Sequence, residues 1–181
     1  MAAVWISWES DTEPVSVDDV KKQCLIDHDE DDGFLMSIII PTARQLAETK
    51  AGSAIRKGTY REFFPGLPAG AIYLGRGRAF EMVRVLLGQA EQDVAAFPLQ
   101  DLGNDVLVTP DPALSLTGTV TFEYKAGIDI ENFPTVKQWI LLACAWLYEQ
   151  RELLMQGQPV QAIPSTYVDA LLVPITTSAR F

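Results

Sequence analysis

The single histidine of the sequence, His28, lies in an acidic run from Asp27 to Asp32. Carboxylates beside an imidazole could hold a metal ion and activate water, which is the chemistry of a small metal-dependent hydrolase. The run lacks the alternating ligand spacing and the distal Glu of a calcium loop. Acidic residues also favour the N-terminus of a following helix. We therefore expect a solvated linker here, with no metal ligand, no cofactor and no catalytic residue.

Two other features have residue types that could do chemistry but lack the necessary partners. The run Gly75-Arg76-Gly77-Arg78 has neither the third glycine nor the Lys-Ser/Thr of a phosphate-binding loop, so it predicts a tight turn with two exposed arginines. Cys24 and Cys144 are far apart in the sequence and are expected to be small buried hydrophobes in a reducing compartment. The sequence does not favour an enzyme.

The bulk composition is that of one globular domain without a nucleic-acid-binding surface. The chain has 181 residues, of which 48% are hydrophobic, and 24 acidic residues against 14 basic ones give a net charge of −10. This charge disfavours binding of nucleic acid through a broad basic face. The N-terminus lacks the basic region and the long apolar core of a secretion signal, so we expect a protein made in a cytoplasm.

The most informative segment is the run of ten residues from Trp139 to Tyr148, which contains no charged side chain. A helix that is apolar all round must be covered on more than one side, and ten residues cannot span a membrane, which needs about 20. We expect one broad face to lie in the subunit core, comprising Trp139, Ile140, Ala143, Trp146 and Leu147. We expect the back face to contact another subunit, through Leu141, Ala145 and Tyr148.

Two shorter helices are predicted near the N-terminus. Ser16 and Asp19 fit a capping box and begin a helix that ends near Ile26. The second helix runs from about Asp31 to Lys50, and Pro41 should kink it. Its predicted buried stripe contains Leu35, Ile39, Ala43 and Leu46, widened by Met36 and Ile40, with Ser37, Arg44 and Glu48 on the opposite side.

The middle of the chain, about 54–126, predicts a β-rich insertion, and the clearest strand alternates Val120, Phe122 and Tyr124 with Thr119, Thr121 and Glu123. The other predicted strands are Ile55–Phe64, Ala71–Leu74, Met82–Leu87, Ala95–Leu99 and Val106–Thr109. Residues 1–15 read as an arm that docks on the body or on a neighbour. The predicted class is α+β, a small helical body of two N-terminal helices, a long C-terminal helix and a short last helix, with the β-rich insertion between helices two and three.

The order of these elements resembles the head–tail connector, or head-completion adaptor, proteins of tailed bacteriophages. The resemblance is carried by short motifs spread over nearly the whole chain: Glu13-Pro14-Val15-Ser16 at the opening, Ala43-Arg44 with Glu48 in the second helix, Tyr124-Lys125-Ala126-Gly127 at the end of the last strand and in its turn, Tyr148-Glu149-Gln150-Arg151 on the long helix, and Ala170-Leu171-Leu172 with Pro174 near the end. Pro41 departs from the pattern, because the family usually continues the helix there.

The resemblance implies a structural protein of the virion neck, assembled in the host cytoplasm. It implies a homo-oligomeric ring, twelve-fold, that lies beneath the portal protein, extends the channel for double-stranded DNA and presents a surface to a downstream stopper or tail protein. Residues 16–173 would form the connector domain. The tail 174–181, with Pro174, Ile175, Arg180 and Phe181, would dock on the portal.

Two alternative functions remain at this stage. One is another neck or tail ring protein, such as a stopper or tail terminator, although those proteins are usually richer in β-structure. The other is the small metal-dependent hydrolase already considered at His28.

The net charge of −10 predicts that the isolated protein binds free duplex DNA weakly at physiological salt. An acidic channel wall repels phosphates, so DNA would slide past it without tight binding. Fluorescence anisotropy with a labelled random duplex measures this. A sequence-independent dissociation constant below about 1 µM would contradict the passive channel.

Overall fold

The computed structural model describes residues 3–66, 70–112, 114, 118–150 and 165–178, with only the backbone described for 165–167. The chain is α+β and divides into two compact units. The helical unit comprises Thr12–Ala51 and Asp129–Pro174, and the β unit comprises Met1–Asp11, Gly52–Ile128 and Ile175–Phe181. Within the described residues, no helix is both long and apolar enough to cross a membrane.

The helical unit begins with α1 (Val17–Cys24), and the predicted capping box at its start is confirmed. Ser16 Oγ accepts a hydrogen bond from the Asp19 amide at 3.1 Å, and the Asp19 carboxylate accepts one from the Ser16 amide at 3.3 Å. These two bonds satisfy amides that the first turn of a helix leaves unpaired. The helix ends where Leu25 adopts a left-handed conformation, with φ 56°.

The second predicted helix is present, but its geometry changes before Pro41. It consists of α2 (Asp32–Phe34), a π-helical turn (Leu35–Ile39) and α3 (Ile40–Ala51). The Ile40 amide bonds the Leu35 carbonyl, five residues back. Because proline cannot donate to the preceding turn, the wider π turn accommodates Pro41 within a continuous helical segment.

The π turn changes which residues of α3 face the interior, and part of the predicted stripe is wrong. Leu46 is 44% exposed and Met36 is 61% exposed, whereas Arg44 and Glu48 are buried. A π turn contains more residues than an α turn, so the buried face of α3 follows Ala43, Ala47 and Ala51 with their neighbours Arg44 and Glu48. The prediction assumed one uninterrupted α-helical period.

Arg44 forms a buried ion triad with two glutamates of the same unit. Its Nε donates to Glu13 at 2.7 Å and its Nη1 donates to Glu48 at 2.8 Å. The exposed fractions of the side chains are 3% for Arg44, 15% for Glu13 and 7% for Glu48. The triad therefore fastens the segment that precedes α1 to the helix that follows the π turn.

The unit is completed by α4 (Pro134–Glu149), which packs against α1, α3 and the π turn. Pro134 occupies the first turn, where its missing amide costs nothing. A short 3₁₀ turn (Ile130–Asn132) precedes α4, and α5 (Ser165–Ala170) and a 3₁₀ turn (Val173–Ile175) follow it in sequence.

The β unit contains an antiparallel five-stranded sheet in the order β1-β2-β8-β4-β5. Its strands are β1 (Val4–Trp8), β2 (Gly58–Phe64), β4 (Ala79–Leu87), β5 (Ala90–Gln92) and β8 (Val120–Ala126). The central β8 presents Val120, Phe122, Tyr124 and Ala126 to the hydrophobic core. Thr121 and Glu123 on its other side are also buried, because longer side chains on β2 and β4 flank them.

A second sheet contributes the other side of this core, in the order β3-β7-β6. Its strands are β3 (Ile72–Tyr73), β6 (Leu99–Asp101) and β7 (Val106–Val108). The predicted strand Ala95–Leu99 is wrong. Residues Val94–Ala96 form a 3₁₀ turn capped by the Asp93 side chain, and Phe97 turns inward to pack edge-on against Phe122 at 5.8 Å.

The ion triad predicts that Arg44→Met lowers the free energy of unfolding by about 3–5 kcal/mol, because two carboxylates would remain buried without their counter-ion. Urea unfolding followed by circular dichroism measures the loss. The matched control is Lys50→Met, which breaks the exposed pair between Lys50 and Asp169 and should cost at most about 1 kcal/mol. Equal losses in the two variants would contradict this role of the triad.

Candidate assembly surfaces

The long helix α4 has one fully buried face. Trp139, Ile140 and Ala143 are 2%, 0% and 3% exposed, and they pack within the helical unit. Trp146 and Leu147, which the sequence assigned to the same face, are only half-buried. The burial of this face therefore decreases towards the C-terminal end of α4.

The back face of α4 is half-buried in the isolated chain. Leu141, Ala145 and Tyr148 all retain part of their exposed surface. The Tyr148 hydroxyl donates a 2.6 Å hydrogen bond to Asp31 in the acidic linker. Tyr148 is therefore oriented by a hydrogen bond within its own chain.

The acidic linker is organised by a lysine. Lys21 Nζ lies 2.5 Å from Asp29 Oδ1 and 2.9 Å from Asp32 Oδ1. The hydrogen bond from Lys21 lowers the pKa of Asp29, and the two carboxylates raise the pKa of Lys21. His28 is exposed, and no group of three or more His, Cys, Asp or Glu side chains in the described residues could hold a metal ion.

The two cysteines are free thiols in the helical unit. Burial raises the pKa of Cys144 to about 12 and also raises that of Cys24. A thiol with such a pKa remains protonated at neutral pH, and the protonated form is a poor nucleophile and metal ligand.

The turn from Gly75 to Arg78 supports the β unit. The Gly75 amide donates to Glu62 Oε2 at 2.7 Å, and the buried Tyr124 hydroxyl donates to the same oxygen at 3.2 Å. A Cβ at Gly75 would lie 2.5 Å from Glu62 Oε1, so only glycine permits this approach. Burial, followed by the negative charge of Glu62, raises the pKa of Tyr124 well above its usual value.

The two arginines of this turn are not the exposed side chains that the sequence predicted, since both are half-buried. The guanidinium of Arg76 lies 5.7 Å from the centre of the Tyr60 ring, and Arg78 donates to Asn104 Oδ1 at 2.7 Å. The turn is therefore held by contacts with the surrounding protein.

The described part of the C-terminal tail is built into the β unit. Ser53 Oγ donates to the Ile175 carbonyl, Asn104 donates to the Thr176 carbonyl at 2.9 Å, and the Ser178 amide donates to Asp105 at 3.3 Å. The Ile175 side chain, which the sequence assigned to portal docking, is 0% exposed and packs inside its own chain. Pro174 is exposed, while Arg180 and Phe181 lie outside the described residues.

Sequence reasoning missed one surface, the outer face of the five-stranded sheet. Val4, Phe63, Phe80 and Val83 are each at least 41% exposed on strands β1, β2 and β4. The sequence pattern did not reveal this apolar face because β4 pairs with β8 through two register shifts. Each shift interrupts the alternation that marks the two faces of a strand.

No protein-family model matches the sequence, and no curated protein matches it. The fold is similar to that of solved chains. One from the neck of an empty GTA (gene transfer agent) particle, computed with C6 symmetry, aligns with a TM-score of 0.75 at 17% identity, covering 100% of this chain and 98% of that chain.

A chain from the virion of a native GTA particle aligns with a TM-score of 0.76 at 16% identity. A chain from the neck of a native GTA particle, computed with C12 symmetry, aligns with a TM-score of 0.69 at 16% identity. Both alignments cover 100% of this chain and 98% of the other. At such identities the likeness shows a shared fold, and here the shared fold includes both units.

The burial gradient along α4 predicts different costs for its two tryptophans. Trp139→Ala should lower the free energy of unfolding by about 3–5 kcal/mol, the usual cost of truncating a buried aromatic. Trp146→Ala should cost distinctly less, because Trp146 already contacts solvent. The control Trp139→Phe keeps an aromatic ring and should fall between them, and thermal melting compares all three. A larger loss for Trp146→Ala than for Trp139→Ala would contradict the gradient.

Proposed function

We propose that this chain is a structural, non-enzymatic protein of the neck of a phage-like particle. The observation that carries the proposal is the fold likeness to chains of GTA neck and virion particles, which extends over 100% of this chain. A match of this length includes the helical unit and the β unit together. The motifs that resemble phage head–tail connectors lead independently to the same proposal.

Within such a neck, the chain would form a closed homo-oligomeric ring. The similar neck assemblies were computed with C6 and C12 symmetry, and both are compatible with twelve subunits. A cyclic ring needs two different surfaces on each subunit, because each copy contacts its two neighbours head to tail. We assign one of these surfaces to Leu141, Ala145 and Tyr148, the half-buried back face of α4.

The charge of the chain suits a passage for double-stranded DNA. A net charge of −10 per subunit is multiplied by the number of copies in a ring. An acidic wall repels the phosphates and releases no counter-ions by binding them. DNA would then pass through the channel without tight contact.

The two ends of the ring would face the portal protein and a downstream stopper or tail protein. We assign portal docking to Pro174, which is exposed, together with Arg180 and Phe181. Ile175 has no part in this assignment, because its side chain is buried in the β unit.

The alternative functions have less support. A stopper or tail terminator would also be a neck or tail ring protein, but the helical opening with its capping box and ion triad matches the connector motifs at Glu13, Arg44 and Glu48. A hydrolase would need the acidic linker near His28, yet two of its carboxylates are paired with Lys21. No observation favours either alternative over a connector.

The direct test is to find the chain in an assembled particle. Particles made with a tagged copy of the chain would be purified, and native mass spectrometry and cryo-electron microscopy would give its copy number and position. We expect a closed ring between capsid and tail. A chain located elsewhere in the particle, or one that never assembles, would overturn the proposed function.

The back face of α4 predicts that Leu141→Lys leaves a folded subunit that no longer assembles. An unpaired charge buried at a subunit contact costs several kcal/mol, and a ring repeats that cost at every interface. Native mass spectrometry beside circular dichroism measures assembly and folding together. Gln138→Lys is the matched control, since it places the same charge on the same helix at an exposed position.

The two ways in which this experiment can fail have different meanings. Normal assembly of Leu141→Lys would show that the back face is not an interface. Unfolding of the variant would assign Leu141 to the core of its own subunit.

A further inference from the structure

The outer face of the five-stranded sheet is the side directed away from the hydrophobic core of the β unit. The register defines it: Val4, Arg61 and Glu123 lie opposite one another across β1, β2 and β8, and Phe63, Thr121 and Leu86 do so across β2, β8 and β4. Residues one position away along these strands, such as Tyr60, Phe122 and Val85, belong to the core.

Three irregularities in the sheet enrich this face in apolar side chains. The pairing shifts between Trp5 and Ser7, between Ala79 and Glu81, and between Met82 and Arg84. The extra residues are Ile6, Phe80 and Val83, which are 38%, 48% and 41% exposed. None of them belongs to the core cluster. Bulges re-aim side chains, and here all three add a large hydrophobic residue to the solvent side.

The result is an exposed apolar band across the sheet. Phe63 is 50% exposed and Val4 is 64% exposed, and these lie on the same face as Ile6, Phe80 and Val83. Scattered single hydrophobic residues are normal on a protein surface, but a cluster with a polar surround marks an interaction site. The band includes residues of β1, β2 and β4, while the central strand β8, between β2 and β4, contributes the buried Thr121 and Glu123 to this face.

The charged residues on the same face neutralise one another. Arg61 pairs with Glu123 at 2.6 Å, Lys125 with Glu81 at 2.8 Å and Arg84 with Glu91 at 3.0 Å. These three pairs carry no net charge, and the exposed Glu9 and Lys57, which continue the β1–β2 pairing, add one charge of each sign, although the whole chain carries −10. The face is therefore an electrically neutral region on a strongly acidic molecule.

We propose that this outer sheet face, which includes Phe63, Phe80 and Val83, is the second subunit contact of the ring, covered by a neighbouring copy of the same chain. The inference rests on the proposed neck ring and completes the pair of surfaces that a cyclic assembly needs. The neutrality of this face favours a second copy of the chain as the protein that covers it. Two copies at −10 repel each other over the range of a Debye length, about 8 Å, and a neutral apolar face is where that repulsion is least.

A partner with a basic surface would be attracted to the acidic parts of the chain and would gain nothing electrostatically from this face. Burial of the apolar band by a second copy removes hydrophobic area from water at every interface. The internal ion pairs are already formed within one subunit, so the arriving copy need not supply counter-ions.

The test is Phe63→Glu, with Leu102→Glu as the matched control. Leu102 is 48% exposed in the same unit, directly after β6, so it receives the same charge at the same exposure away from the face. We expect Phe63→Glu to reduce the fraction of subunits in rings at least about tenfold, because a carboxylate would be desolvated at each contact. Leu102→Glu should assemble as the wild type does, and circular dichroism checks that both variants fold.

A second measurement identifies the occupant without relying on a disruptive variant. The photo-crosslinking residue benzoylphenylalanine replaces Phe80, which it resembles, in particles that carry the chain. Crosslinks to another copy of the chain are the expected result. Crosslinks to a different protein, or only within one chain, would overturn the proposal.

The outcomes separate the inference from the function on which it rests. If the wild type forms no ring even in particles, the proposed function fails. If the wild type forms rings and Phe63→Glu does so equally well, the ring stands and the sheet face is excluded as its contact. If Leu102→Glu is as defective as Phe63→Glu, the effect is one of added charge and the proposal is again overturned.

Discussion

The organisation of the helical unit depends on one guanidinium group. Arg44 lies between Glu13 and Glu48, and all three side chains are largely removed from solvent. A buried arginine is stable only where carboxylates compensate for the loss of its hydration. Because Arg44 pairs with Glu13 before α1 and with Glu48 on α3, the triad holds these two segments together. The motifs that resemble the connector family at the opening and in the second helix are thus the two halves of a single interaction.

The π turn before Pro41 is what makes this interaction possible. With an uninterrupted α-helical period, Leu46 would have faced the interior together with Leu35, Ile39 and Ala43, which are buried in the structure. The wider turn instead brings Arg44 and Glu48 to the buried side and leaves Leu46 in solvent. Proline therefore determines more than a local bend, because it sets the phase of the helix that carries the central charge. The same turn contacts α4, so the long apolar helix rests on it as well.

The central element of the β unit is the strand β8, which is buried on both sides. Its Tyr124 hydroxyl and the Gly75 amide both donate hydrogen bonds to Glu62. The unit is assembled from three separate parts of the chain. The N-terminal segment supplies the edge strand β1 and residues 175–178 bind the loops around Ser53 and Asn104. The segments near the two ends of the described chain, β1 and residues 175–178, therefore belong to the same unit.

The sequence by itself determined the element types, because capping residues, proline positions and hydrophobic runs act over a few neighbouring residues. Ser16, the central strand and the apolar helix were readable in this way, as was the α+β class. Only the tertiary structure decided the burial of Arg44 and Glu48, the docking of Ile175 and the apolar outer face. The burial of Arg44 and Glu48 depends on the change of helical phase at the π turn, and the apolar outer face depends on the change of strand phase at the bulges. The docking of Ile175 depends on contacts between residues far apart in the chain. A local sequence pattern does not specify such contacts, because they form only when segments far apart in the chain pack against each other.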